Sequence, residues 1–303
     1  MIQLILLFLI IISGMGQAET IKTPGMAGMP LLKMGISARG IAMSDSFSSI
    51  SDDITSVYYN PAGIGQIKGF QIQFNRINWF LDTTIDSVAI GKSYNNMNGW
   101  AIEYRSLLSE DYVRDTQTIN NETTVVTGDK INFHNSVIGL TFAGNSIIGE
   151  QMDRNFRVGC TLKIINQEIY TKQYSAIGYD IGILYGPDSR SNYYSVVLQN
   201  IGDNIGQDIL PSILRIGTGY KDNTYAINAE AVQEIDTKIK LTSGLEFYIG
   251  KVFTLRFGGM LQNESFSYTG GFGLSIKSFQ LDYGFMPHSD LGDTSRISLT
   301  IKL

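Results

Sequence analysis

The chain is poor in the residues that carry most enzyme chemistry. Cysteine occurs once, as Cys160, so there is no internal disulfide framework. Cys160 falls on the apolar face of "FRVGCTLKI" and reads as a small lipid-facing residue rather than a nucleophile. Histidine occurs only at His134 and His288, far apart and without companions at metal-ligand spacing, so no metal site is expected. Charged residues make up 17% of the chain, against about 25% in an average soluble protein. A net charge of −5 without any basic cluster argues against a nucleic-acid partner. After residue 18 no apolar run is long enough to cross a bilayer as a helix. Serine elbows and carboxylate pairs of enzymatic type are missing too. The glycine-rich "GIGQIKG" and "GGFGLS" lack the spacing and following helix of a phosphate loop and read as turn and barrel glycines. Neither a cofactor nor an enzymatic activity is expected.

What the chain does have is 32 glycines, 16 tyrosines and 15 phenylalanines in 303 residues, a composition that points to an all-β protein. It opens with "MIQLILLFLIIISGMGQA", apolar from Leu4 to Ile12 and closing on small residues, which reads as a secretory signal over residues 1–18. The alternative for this stretch is an N-terminal anchor helix.

From Phe70 onward apolar and polar residues alternate in segments of about ten, broken by turn residues. "FTLRFGG" sets Phe253, Leu255 and Phe257 against Thr254 and Arg256, and "RISLTIKL" sets Ile297, Leu299, Ile301 and Leu303 against Arg296, Ser298, Thr300 and Lys302. About fourteen such segments follow one another, each of roughly the 9 to 11 residues that a tilted membrane-spanning strand needs. If the first starts in the periplasm, the long connections 108–132, 201–210 and 286–294 all fall outside, with residues 144–153 the one long connection on the other side. That asymmetry is the habit of outer-membrane barrels.

A soluble secreted sandwich or propeller would alternate as well, but its polar face would carry many Lys and Glu. Here that face is mostly Gly, Ser, Thr, Asn and Gln, with about one charge per strand, as suits a crowded lumen. Arg215, Glu230, Lys240, Glu246, Arg256, Asp282 and Arg296 are the charges expected to face it. Trp79, Trp100, Tyr185 and Tyr220, near segment ends, are expected to form interfacial girdles.

Residues 19–69 have no place among these strands. Within them, "SSISDDITSVYYNPAGIG" reads as two short turns. Ser51 is a good cap, with Asp52 and Asp53 at the positive end of its turn. Asn60 caps the next, Pro61 suits a first helical position, and Gly63 suits a tight exit, so the stretch reads as a one-turn knuckle that redirects the chain.

The longer stretch "LKMGISARGIAMSDSFSSISDDITSVYYNPAGIGQI" resembles the N-terminal signature of the PorV/PorQ family of FadL-like outer-membrane barrels. The matching residues are Gly35, Ala38, Arg39, Ala42, Met43, Asp52, Asp53, Tyr58, Asn60, Pro61, Ala62 and Gly63. Members often carry Gly-Gly where this chain has Ser44 and Asp45, and Trp where it has Tyr59. The resemblance implies a transmembrane antiparallel barrel of about fourteen strands over residues 70–303, with residues 19–69 folded into the lumen as a hatch that ends at the periplasmic rim. Arg39, Asp52 and Asp53 would then either form an ion pair holding the hatch or remain separate, the acids simply capping a turn.

Three functions follow. The resemblance implies an accessory to type IX protein export at the outer membrane, engaging exported proteins or other secretion components. The alternatives are a FadL-like channel for passive uptake of hydrophobic small molecules, and a structural scaffold. The resemblance puts the secretion reading first, and the polar loop 108–132, more like a docking surface or a small extra hairpin than a greasy funnel, fits it. Outer-membrane lipid is the partner common to all three.

Overall fold

The computed structural model describes residues 27–79, 83–94, 97–119, 122–147, 150–151, 155–186, 191–287 and 293–303. The expected signal segment and His288 lie outside them.

Fourteen antiparallel strands close into a barrel: β1 (Phe70–Asn78), β2 (Thr84–Tyr94), β3 (Asn98–Ile119), β4 (Glu122–Gly144), β5 (Phe156–Ile169), β6 (Lys172–Tyr185), β7 (Ser191–Gly202), β8 (Ile213–Lys221), β9 (Tyr225–Glu234), β10 (Lys240–Ile249), β11 (Phe253–Gln262), β12 (Ser265–Ile276), β13 (Phe279–Met286) and β14 (Thr294–Lys302). Each strand pairs with the next, and β14 returns to pair with β1, so the wall has no free edge. The seam is finished by Phe70 N–H donating to Leu303 O at 3.0 Å and Leu303 N–H to Phe70 O at 2.8 Å. That end is called the terminal end below, and the opposite one the hairpin end.

The period-two pattern becomes an inside and an outside. Phe74, Ile102, Phe142, Leu162, Ile181, Ile216, Leu241, Phe257, Leu281 and Ile297 project outward and are exposed, as is Cys160. Gln71, Gln73, Asn75, Thr161, Thr242, Thr269, Ser298 and Thr300 point inward and are buried. A barrel that is apolar outside and polar inside is built for a bilayer.

Of the readings given for residues 108–132, the extra hairpin is what forms: β3 and β4 run on as one paired ribbon to Ile119 and Glu122, with a register shift between Tyr112 and Arg114. One sequence expectation needs correction. Trp79 is not part of a girdle. It follows the inward parity of Ile77, packs on the interior cluster and lies under Arg296, whose Cζ is 5.9 Å from the ring centroid. Among the described residues of 145–155, Ser146–Ile147 pairs with Glu150–Gln151 in a two-residue ladder.

Candidate functional site

Residues 27–67 lie buried against the inward face of the wall. The path begins at the hairpin end, where Gly28 N–H donates to Ile209 O at 3.1 Å and the Lys33 ammonium reaches Asp236 Oδ1 at 2.5 Å. Four short helical turns then step through the lumen. Pro30–Leu32 comes first, and Ala38–Ile41 follows, capped by Ser37, whose Oγ accepts from Gly40 N–H at 2.9 Å. Asp53 caps Ile54–Tyr58, accepting from Thr55 N–H at 2.9 Å, and Asn60 caps Pro61–Gln66, accepting from Ala62 N–H at 3.0 Å.

The local sequence reading is right about Asn60 and Pro61 and wrong about their neighbours. Ser51 caps nothing; its hydroxyl donates back to Phe47 O at 2.9 Å, and Asp53 takes the capping role. The turn after Asn60 is longer than one turn and continues to Gln66. Gly63 is not its exit but a contact point, since a Cβ there would come within 2.5 Å of Ser51 O. The left-handed residue that redirects the chain into β1 is Gly69, at φ 67°.

Arg39 is the centre of the site. Its Nη1 donates to Asp52 Oδ1 and to Asp53 Oδ2, both at 2.6 Å, so the ion pair rather than the two separate acids is what forms. The two-point contact goes elsewhere: Nε and Nη2 donate to Glu246 Oε1 and Oε2 of β10 at 2.9 and 2.6 Å. The Phe47 ring lies 4.8 Å from the guanidinium carbon. Glu246 also accepts from Arg256 Nε at 2.7 Å, Arg256 Nη1 reaches Asp282 Oδ1 at 2.8 Å, and Lys221 pairs with the other oxygen of Asp52. The chain of charges therefore runs from the lumenal segment across β8, β10, β11 and β13. Burial alone would push the Arg39 guanidinium down, but Asp52, Glu246 and Asp53 hold it well above its ordinary value. Burial would likewise raise Asp52, yet Arg39 and Lys221 keep it far below the usual carboxylate range.

A second group forms around Asp45. Tyr59 donates its hydroxyl to Asp45 Oδ1 at 2.6 Å; burial and that carboxylate push the phenol well above its ordinary value, so it stays a donor. Arg215 donates from Nη1 to Asp45 O at 3.2 Å and pairs with Glu230 at 3.3 Å, and Arg296 stands 3.8 Å from Asp45 Oδ1. Ser44 and Asp45 adopt left-handed φ values of 54° and 57°. This is the conformation glycine adopts most easily, at the two positions where the resembled family carries Gly-Gly. Gly35 packs directly beside the Asp45 carboxylate, and the Tyr58 hydroxyl sits 3.1 Å from Ser87 Oγ. Lys240 is only half-buried, 3.2 Å from Glu234.

Sequence reasoning passed over Glu103, Arg105, Lys163 and Asp180, although all four obey the same rule of one polar parity per strand. They are buried on β3, β5 and β6, with Lys163 2.6 Å from Asp180 and Arg105 3.0 Å from Glu103. Lys221 also follows the inward parity of Arg215 on β8, whereas nothing in the local pattern pointed to Lys33 with Asp236. Among the described residues, no three His, Cys, Asp or Glu side chains group as a metal would require.

One buried apolar cluster runs along the N-terminal segment. Toward the hairpin end Met29, Leu31, Leu32 and Ile36 pack with Ile77, Ile85, Leu107, Val137, Ile165 and Leu210, and Met43, Phe47, Ile54, Tyr59 and Ile64 continue the cluster further along the lumen. Toward the terminal end lies a cavity of about 790 Å³ lined by Arg39, Asp52, Lys221, Glu246 and Arg256 and by Lys68, Lys251 and Lys302 at its rim. Tyr193, Tyr248, Phe253 and Ile50 form its less polar walls.

The closed, fourteen-stranded, outward-apolar barrel resembles in fold several solved outer-membrane channel structures. The chain is similar in structure to the toluene transporter TbuX of Ralstonia pickettii, with a TM-score of 0.60 and 11% identity, over 88% of this chain and 97% of that one. A FadL homologue of Pseudomonas aeruginosa aligns with a TM-score of 0.58 and 8% identity over 88% and 98% of the two chains. The Pseudomonas putida toluene transporter TodX aligns with a TM-score of 0.56 and 10% identity over 88% and 97%. In sequence, a UPF0164 protein of Treponema pallidum (strain Nichols) is 19% identical over 256 residues, 79% of this chain. The chain spans about 60% of the length of that relative. No protein-family profile matches the chain.

Proposed function

We propose that the protein is a passive outer-membrane channel for hydrophobic small molecules, exported through its N-terminal signal, in which residues 19–69 act as a hatch that must shift for passage. The observation that carries this is the buried apolar cluster made jointly by the N-terminal segment and the wall, which reaches the hairpin end at Met29, Leu31 and Leu210. An apolar solute entering there exchanges protein contacts for its own without leaving a polar group unpaired. The shared fold of barrels described as toluene transporters supports the same reading. Toward the terminal end paired charges tie the N-terminal segment to the wall, and in this reading they keep ion conductance low until those contacts open.

The test is uptake of the apolar dye N-phenyl-1-naphthylamine by intact Gram-negative cells expressing the chain, followed by fluorescence. Faster uptake than in cells with an empty vector is expected, with ion conductance of the purified barrel staying low. Uptake no faster than the control overturns the channel.

The secretion reading keeps one specific support, the motif residues Gly35 to Gly63 shared with the PorV/PorQ signature. In that reading the partners are exported proteins or secretion components. Their recovery with the detergent-solubilised barrel, identified by mass spectrometry, is the outcome that would place it first.

A further inference from the structure

The wall has no free edge, but the β3–β4 ribbon above it has two. β2 pairs with β3 only up to Leu108, and β4 pairs with β5 only from Phe133. Residues 109–119 and 122–132 pair with each other and, among the described residues, with no other strand. Eleven residues of extended chain make an arm roughly 35 Å long beyond the barrel. Each of its edges presents a row of N–H and C=O groups with no ladder partner, which is a template for a further strand.

Edges left open in native proteins are normally blunted by proline, lysine or bulges. Arg114, Lys130 and the register shift between Tyr112 and Arg114 blunt the lower half of this arm, but from Asp115 to Thr127 it has no proline, no lysine and no arginine. On β4 the same stretch contains five consecutive β-branched residues, Thr123 to Thr127. That composition favours strand pairing rather than preventing it. Charge then selects the occupant. Residues 109–132 carry Glu110, Asp111, Asp115, Glu122 and Asp129 against Arg114 and Lys130, a net charge of −3. Two such arms repel one another, whereas a basic extended segment is attracted.

The geometry points to the β3–β4 arm as a β-augmentation site that captures a basic, extended segment of a partner protein as an added strand. The added strand hydrogen-bonds through one of its own edges only, because the arm offers a single edge at a time. The site lies outside the lumen and does not depend on the channel reading.

The probe is the peptide acetyl-Lys-Thr-Lys-Val-Lys-Thr-Lys-amide, titrated by fluorescence anisotropy against the full-length barrel in detergent. Two copies are N-methylated, one at alternate backbone nitrogens, which leaves one edge open, and one at every backbone nitrogen, which blocks both. The first is expected to bind like the parent and the second at least tenfold more weakly, and a glutamate-for-lysine peptide is expected not to bind. Excising residues 110–131 should abolish peptide binding while leaving dye uptake unchanged, which separates failure of this site from failure of the channel. Binding of the fully methylated copy equal to that of the parent overturns the proposal, because attraction would then be by charge alone. So does binding that survives the excision, or an arm-dependent dimer in sedimentation, which would give the edge to a second copy.

Discussion

At the scale of single residues, Arg39 is the contact on which the lumenal segment depends. It holds two acids of its own segment and one of the wall, and it is buried with Asp53 and Glu246, while Asp52 is half-buried. Arg39→Ala leaves Asp53 and Glu246 buried without their main counter-charge, and removing one partner of such a group costs roughly 3–5 kcal/mol. The expected result is a lower midpoint in heat-modifiability assays of the folded barrel and a leak in liposome swelling; unchanged stability and permeability would show the pairing to be incidental. Arg39→Lys should recover only part of the loss, because an ammonium cannot make the two-point contact with Glu246. Acid reaches the same contacts in a predictable order. Asp52 and Asp236 both sit below their ordinary pKa, so what they contribute is present above the unfolded value near 4 and is lost as pH falls through the folded value. Asp52 is held much further down, so the Lys33–Asp236 contact at the hairpin end should loosen first. Conductance across a planar bilayer should therefore stay low from pH 8 to 5 and rise only below about 4. A transition near pH 6.5 would assign the control to some other group.

At the scale of elements, the turn at Asn60 and Pro61 fits because two strands of the wall leave room for it. A Cβ on Gly159 of β5 would come within 2.3 Å of Ala62 N, and one on Gly182 of β6 within 2.1 Å of Asn60 Oδ1. The first clash is with backbone and cannot be relieved by rotating a side chain. Gly159→Val should thus displace the turn at a cost of about 1–3 kcal/mol while the wall still closes. A barrel that keeps its folded mobility on gels but gains ion conductance is the expected pattern, and a variant that conducts no more than the parent would show that the turn is free to move. The elements also show where local reading works. Asn60 and Pro61 act through bonds to their immediate neighbours, so their roles are legible. Ser51 and Gly63 owe theirs to Phe47, Ser56 and the packing between turns, which no cap preference encodes.

At the scale of the whole molecule, the wall closes through its own fourteen antiparallel pairs and does not need the lumenal segment as a template. Its inward face is mostly amide, hydroxyl and paired charge, all of which water can satisfy. Excision of residues 27–67 is therefore expected to leave a folded barrel with large, steady single-channel conductance. Failure of that variant to fold would mean that the segment is part of the barrel's core rather than a hatch within it.

Strand number, the in-and-out alternation of each strand and the side on which the long connections fall were all present in the sequence, because they depend on a period of two and on turn residues, which are local. The charges on the polar parity of each strand were legible for the same reason. What only the tertiary structure decided is who meets whom. Arg39 finds Glu246 across 207 positions of sequence, and Ser48 finds Glu230 across 182. Those meetings follow from the circumference of a closed wall and the path of the segment inside it. Residues opposite each other in a lumen share no hydrogen-bond ladder and no spacing rule, so nothing along the chain records that they will touch.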